Sequence, residues 1–116
     1  MAIEFITDDA RALLRNFDTK IEQVEQKGKI TTWQKSTDGQ YYTHTSNDWH
    51  ARAWLKPNVK TDHIVFNIIK PKNQNVSTVV YGYYHGHLIE TFLNHFDQNL
   101  SVARVTPLPT DEDRCS

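Results

Sequence analysis

The chain has 116 residues, 38% hydrophobic and 23% charged, with a formal net charge of −1 when histidine is neutral. That length fits one domain rather than two, and the apolar content excludes a disordered chain. The charge excludes a simple polycation, so nucleic-acid binding would need a local basic patch. Cys115 is the single cysteine; it has no partner for an internal disulfide and reads as an exposed, inert thiol.

Met1 to Ile6 carry neither the basic start nor the long apolar run of a secretory signal. No stretch reaches the roughly eighteen apolar residues of a membrane helix, so a cytoplasmic protein without membrane contact is expected. Ala10, Leu13, Leu14, Phe17, Ile21 and Val24 then recur at three- and four-residue steps, which predicts an amphipathic helix over 8–27. Thr7 or Asp8 is its expected cap, and Lys27-Gly28 its expected end.

From Ile30 the period falls to two. Asp38-Gly39 marks a two-residue hairpin turn between strands at 30–36 and 40–45, and Ser46-Asn47-Asp48 a second reversal into a strand at 49–55. A strand at 63–70 follows, and after the polar turn at 71–75 the apolar run 76–84 reads as a central strand. Leu88, Ile89, Phe92, Leu93 and Phe96 restore helical spacing over 87–98, and 101–106 reads as an edge strand. The expected architecture is α+β: one antiparallel sheet of about five strands between an N-terminal and a C-terminal amphipathic helix, both helices on one face. A single domain spans 1–106, followed by a mobile acidic tail, 107–116.

Chemistry concentrates in the middle of the chain, where Gly28 to Tyr84 hold seven Lys and Arg against three Asp. Pairing the strands through their turns sets Trp33 opposite His44, Lys35 opposite Tyr42, His44 opposite His50 and Tyr42 opposite Arg52. Trp33, Lys35, Tyr42, His44, His50, Arg52 and Trp54 then share one face, suited to a flat or anionic ligand, since rings stack on bases and cations hold phosphate. Tyr41, Thr43, Trp49, Ala51, Ala53 and Leu55 form the opposite, core face. His85 and His87, with Glu90 one turn on, are weak metal candidates, because no further ligand-spaced residues accompany them. No metal, cofactor or catalytic constellation is assigned.

The leading expectation is therefore a small cytoplasmic, non-catalytic interaction or regulatory module acting through a protein partner. It is expected to be a homodimer, because a domain covered on one side would leave Trp33, Tyr42 and Trp54 in water. A binder of single-stranded nucleic acid or another anionic ligand, using the aromatic and basic face, is the alternative. A small enzyme of unknown type is the second alternative.

Overall fold

The computed structural model describes residues 2–116. Among them are β1 (Ala2–Ile6), α1 (Ala10–Glu22), β2 (Trp33–Lys35), β3 (Tyr42–His44), β4 (Trp54–Val59), β5 (His63–Ile69), α2 (Thr78–Phe96) and β6 (Val102–Val105). The strands form one antiparallel sheet in the order β2-β3-β4-β5-β1-β6. The α+β class is as expected, with six strands in place of about five. The unexpected strand is β1, which stands in place of the one expected at 76–84 and whose alternation of buried Ile3 and Phe5 with half-buried neighbours is too short to stand out in sequence. It lies between β5 and β6, so a strand precedes α1 and another follows α2.

Helix α1 is shorter than its periodic pattern. Asp9 caps it by accepting from the Ala12 N–H at 3.1 Å, and it ends at Glu22. Val24, assigned to the apolar stripe, is 92% exposed. Gly28, at φ +75, turns the chain back so that the Ile30 N–H reaches the Lys20 carbonyl at 3.0 Å.

The larger correction concerns residues 76–84, expected as a strand, of which 78–84 form the first two turns of α2. Ser77 caps the helix through the Val80 N–H at 3.2 Å. Val80, Tyr81, Tyr84, Leu88, Phe92 and Phe96 make one buried stripe. Val79, Tyr83 and Ile89 break the polar face that would have revealed the period, leaving a run of β-forming residues.

One face of the sheet supplies the core. Ile3 and Phe5 of β1, Ile64, Phe66 and Ile68 of β5, Leu55 of β4 and Tyr42 of β3 are buried on it, in matching register. Phe92 of α2 stacks on Phe5 (4.2 Å between centroids, 9° between planes) and meets Phe17 of α1, Phe66 of β5 and Phe96 of its own helix at 4.9, 5.8 and 5.1 Å. Such pairs add about 0.5–1.5 kcal/mol each beyond the area they bury. The opposite face is half-exposed at Glu4, Ile6, Trp54, Asn58, Val65 and Ile69 and exposed at Lys56, while Asn67 on it is buried beneath Thr110 and Asp113. Beyond its single pairing with β3 at Tyr42–Leu55, the β4 edge is open, and Pro57 sits on that stretch.

Residues 107–116, expected as a mobile tail, take a defined course. The Arg114 N–H donates to the Ile68 carbonyl at 2.8 Å, and the Lys70 N–H to the Arg114 carbonyl at 2.6 Å. Buried Asp113 accepts from the Asn67 amide (3.0 Å), the Ile68 N–H (2.9 Å) and both the N–H and hydroxyl of Thr110 (2.7 and 3.0 Å). Among the described residues no helix is long and apolar enough to cross a membrane.

Two stability outcomes are expected. Asp113→Ala strands the Ile68 N–H and the Asn67 amide, and should lower unfolding free energy by on the order of 2–4 kcal/mol in urea titrations. Ala51 holds φ 58, a left-handed conformation unfavourable to a side chain. Ala51→Gly should therefore raise stability, by up to about 1 kcal/mol in the same measurement.

Candidate binding groove

The seven residues assigned to an aromatic, basic face do not share one surface. The first hairpin has the expected register, Trp33 pairing with His44 and Lys35 with Tyr42. That side points inward, however: Trp33, Tyr42 and His44 are 1%, 2% and 4% exposed. The Trp33 indole N–H donates to Thr91 Oγ1 of α2 at 2.9 Å, and the Tyr42 hydroxyl to the Asp18 carboxylate of α1. Burial, with the neighbouring Asp18 and Glu22 carboxylates, pushes the Tyr42 phenol far above its ordinary range. Lys35 lies 3.4 Å from Asp18 and 3.6 Å from Glu22, tying β2 to α1.

The second reversal is not a three-residue turn. Residues 46–53 form a longer loop, so Tyr42 pairs with Leu55 instead of Arg52, and the strand expected at 49–55 begins at Trp54. Leu55 accordingly shares the inward face with Tyr42, and Trp54 lies on the other. The loop is clamped to α2 by a column of planar groups. Arg52 stands 5.3 Å over Trp49, Trp49 stacks on Tyr83 at 3.7 Å, and Tyr83 on His87 at 4.1 Å. The Tyr84 hydroxyl donates to the Trp49 carbonyl, and exposed His50 lends its Nδ1–H to the His44 carbonyl at 3.2 Å.

His44 sits against this column, 5.2 Å from both the Tyr83 and His87 rings. Its Nδ1 accepts the Ser46 N–H at 3.1 Å, which places the ring proton on Nε2, an atom without a hydrogen-bond partner among the described residues. Burial, and secondly the positive charge available to His87, hold the imidazole below its usual value of 6.5. His85 and His87, two residues apart on α2, point to different surroundings: His85 is buried with its Nδ1 2.5 Å from the Tyr81 carbonyl, while His87 meets His44. Among the described residues no group of three or more His, Cys, Asp or Glu gathers as a metal site. Cys115 is half-buried rather than exposed, and burial pushes its thiol up, away from the reactive thiolate.

Depressions lie elsewhere on the described residues. One of about 290 Å³ is lined by Asp8, Asp9, Asn16 and Asn99, where the α1 N-terminus is already capped by Asp9. Another, of about 160 Å³, runs beside Tyr81, Pro107, Leu108 and Cys115. The third, of about 260 Å³, lies on the half-exposed face between Ser36, Tyr41, Trp54, Ile69, Lys70, Pro71 and Lys72. Trp54 and Ile69 are cross-strand partners and form its floor.

This third groove differs from the rest of the molecule in its rings. Trp33 and Trp49 have rings or a cation packed on them. Among the described residues no aromatic ring or cation packs on Trp54 or Tyr41, and Lys56, Lys70 and Lys72 have no ion-pair partner. No carboxylate lines the groove. Of the seven sequence-assigned residues only Trp54 belongs to it. Tyr41, Ile69 and the two lysines become its neighbours through the β4–β5 register and the turn after β5.

Comparison with known protein families, curated proteins and solved structures finds no match.

His44 has a consequence for pH. Its folded pKa lies below its unfolded value, so the unfolded chain binds the proton first as pH falls. Stability should be full above about pH 6.5 and decline below it, with His95, lowered chiefly by burial and secondly by Lys20, adding to the fall. Urea midpoints at about pH 7.5 and 5.5 measure this; His44→Gln should make the difference smaller.

Proposed function

We propose that the protein is a non-catalytic binding module that takes an anionic partner on the half-exposed face of its sheet, at the groove floored by Trp54 and Ile69. The observation that carries this reading is the coincidence of unstacked rings, Trp54 and Tyr41, with unpaired Lys70 and Lys72, in a depression lined by no carboxylate. Half-buried rings and an isoleucine beside two lysines suit a partner that covers the rings and meets the charge. The groove's charge selects negatively charged partners and disfavours positive ones.

The non-catalytic reading is supported by the structural contacts of several titratable groups. Tyr42, Asp18 and Lys35 bind α1 to the sheet, His44 and His87 brace the 46–53 loop, and Asp113 holds the tail. The homodimer expected from sequence rested on three rings left in water. Trp33 and Tyr42 are covered within the monomer, which leaves Trp54 as the half-exposed one of the three.

Intrinsic tryptophan fluorescence titrated with polyphosphate and with polyglutamate tests the reading. Both should perturb the Trp54 signal at low ionic strength, and binding should weaken as the screening length falls from about 30 Å at 0.01 M to about 8 Å at 0.15 M salt. Lys70→Ala with Lys72→Ala should weaken it further with the melting curve unchanged. Flat titrations at low salt, or a micromolar dimer that hides Trp54 in sedimentation and quenching measurements, would overturn it.

A further inference from the structure

We infer that the occupant of the groove is a segment of single-stranded nucleic acid, a base lying against Trp54 and the flanking phosphates held by Lys70, Lys72 and Lys56. This rests on the anionic-partner reading above and narrows it to one chemical class.

Rings separate the classes of polyanion. A peptide of Asp and Glu alone would neutralise the lysines but bring no flat ring for Trp54 or Tyr41, and neither has one from its own chain among the described residues. A nucleotide brings both charge and a π-face. Lys56 shares the half-exposed face with Trp54, two residues along β4, while Lys70 and Lys72 flank the far end of Ile69. Cations thus lie on two sides of the aromatic floor, as a backbone passing over a stacked base requires.

The groove, of about 260 Å³, lies on a sheet face. A single strand presents free base faces that a ring on such a face can stack on. In a duplex the base faces are hidden in the stack, and duplex readers insert a helix or β-ribbon into the major groove. The groove is built instead from a sheet face and the turn at 69–72.

The polar lining also indicates how selective such binding would be. The Ser36 hydroxyl donates to Asp38 and accepts from the Tyr41 N–H at 3.1 Å, so it is already engaged and is poorly placed to read a base edge. Recognition should consequently tolerate sequence, resting on stacking and charge.

The test compares an oligothymidylate of about eight nucleotides, its abasic counterpart of equal charge, a duplex of the same length and polyglutamate, by fluorescence anisotropy in about 20 mM salt. The oligothymidylate should bind about tenfold or more tightly than the abasic strand, through stacking. Its affinity should fall with salt at a log–log slope of about −2, at roughly 0.7 per contacted phosphate for three lysines. Trp54→Ala should erase the advantage over the abasic strand, whereas Trp54→Phe, which keeps a ring and the floor, should retain part of it. Tyr41→Ala provides a second arm if Trp54→Ala loses its native circular dichroism. Equal binding of the abasic strand or polyglutamate, or tighter binding of the duplex, overturns the single-strand inference and leaves the anionic-partner reading standing. Absence of binding to every polyanion overturns both.

Discussion

Phe92 is the ring on which the two helices and the sheet meet. It stacks on Phe5 of β1, touches Phe66 of β5 and Phe17 of α1, and reaches Phe96 one turn along its own helix. Because aromatic rings pack in defined offset or edge-on arrangements, this cluster does more than exclude water. It sets the position of α2 over the sheet, and with it the reach of every side chain earlier in that helix. Tyr84 can meet the Trp49 carbonyl, and Tyr83 can stack on Trp49, because the helix is held at Phe92.

The same constraint divides the aromatic residues into two populations. Those on the inner face are satisfied internally: Trp33 by Thr91, Tyr42 by Asp18, and Trp49 by Tyr83 and Arg52. Each ring there has its polar handle bonded or its face covered, which is what burial of such residues requires. Trp54 and Tyr41 fall on the other side of the sheet by strand alternation. They are half-buried with no ring or cation packed on them among the described residues, beside lysines whose stems can lie along them while the ammonium groups stay wet.

The loop at 46–53 shows how a local choice redistributes a site. Read as a three-residue turn, it would put His50 and Arg52 in line with Tyr42 and His44. As a longer loop with a left-handed residue at Ala51, it carries Trp49 and Arg52 onto α2 and delays β4 until Trp54. A one-residue change in register inverts every side chain of a strand. The same loop length that removed Arg52 from the expected face placed Trp54 opposite it.

Several features were legible in the amino-acid order because they arise from neighbouring residues. Gly39, at φ +76, marks the reversal between β2 and β3, whose register is the expected one, although the turn closes from the Gly39 N–H to the Ser36 carbonyl rather than as a two-residue Asp38-Gly39 turn. The spacing of Ala10, Leu13 and Phe17 identified α1, the period-two run at 63–69 identified β5, and the mixture of periods identified the α+β class. Other features depend on contacts distant in sequence. Alternation shows which residues of a strand share a face but not which face is covered, so Trp33, Tyr42 and His44 were grouped correctly and assigned to the wrong side. The start of α2 was hidden because Val79, Tyr83 and Ile89 blur a helical stripe that becomes visible only where it meets Phe5 and Phe66. The groove needed two such decisions together, the side on which Trp54 emerges and the pairing of β4 with β5 that brings Ile69, Lys70 and Lys72 beside it. Neither is set by local propensity, since both are fixed by which apolar surface the helices bury.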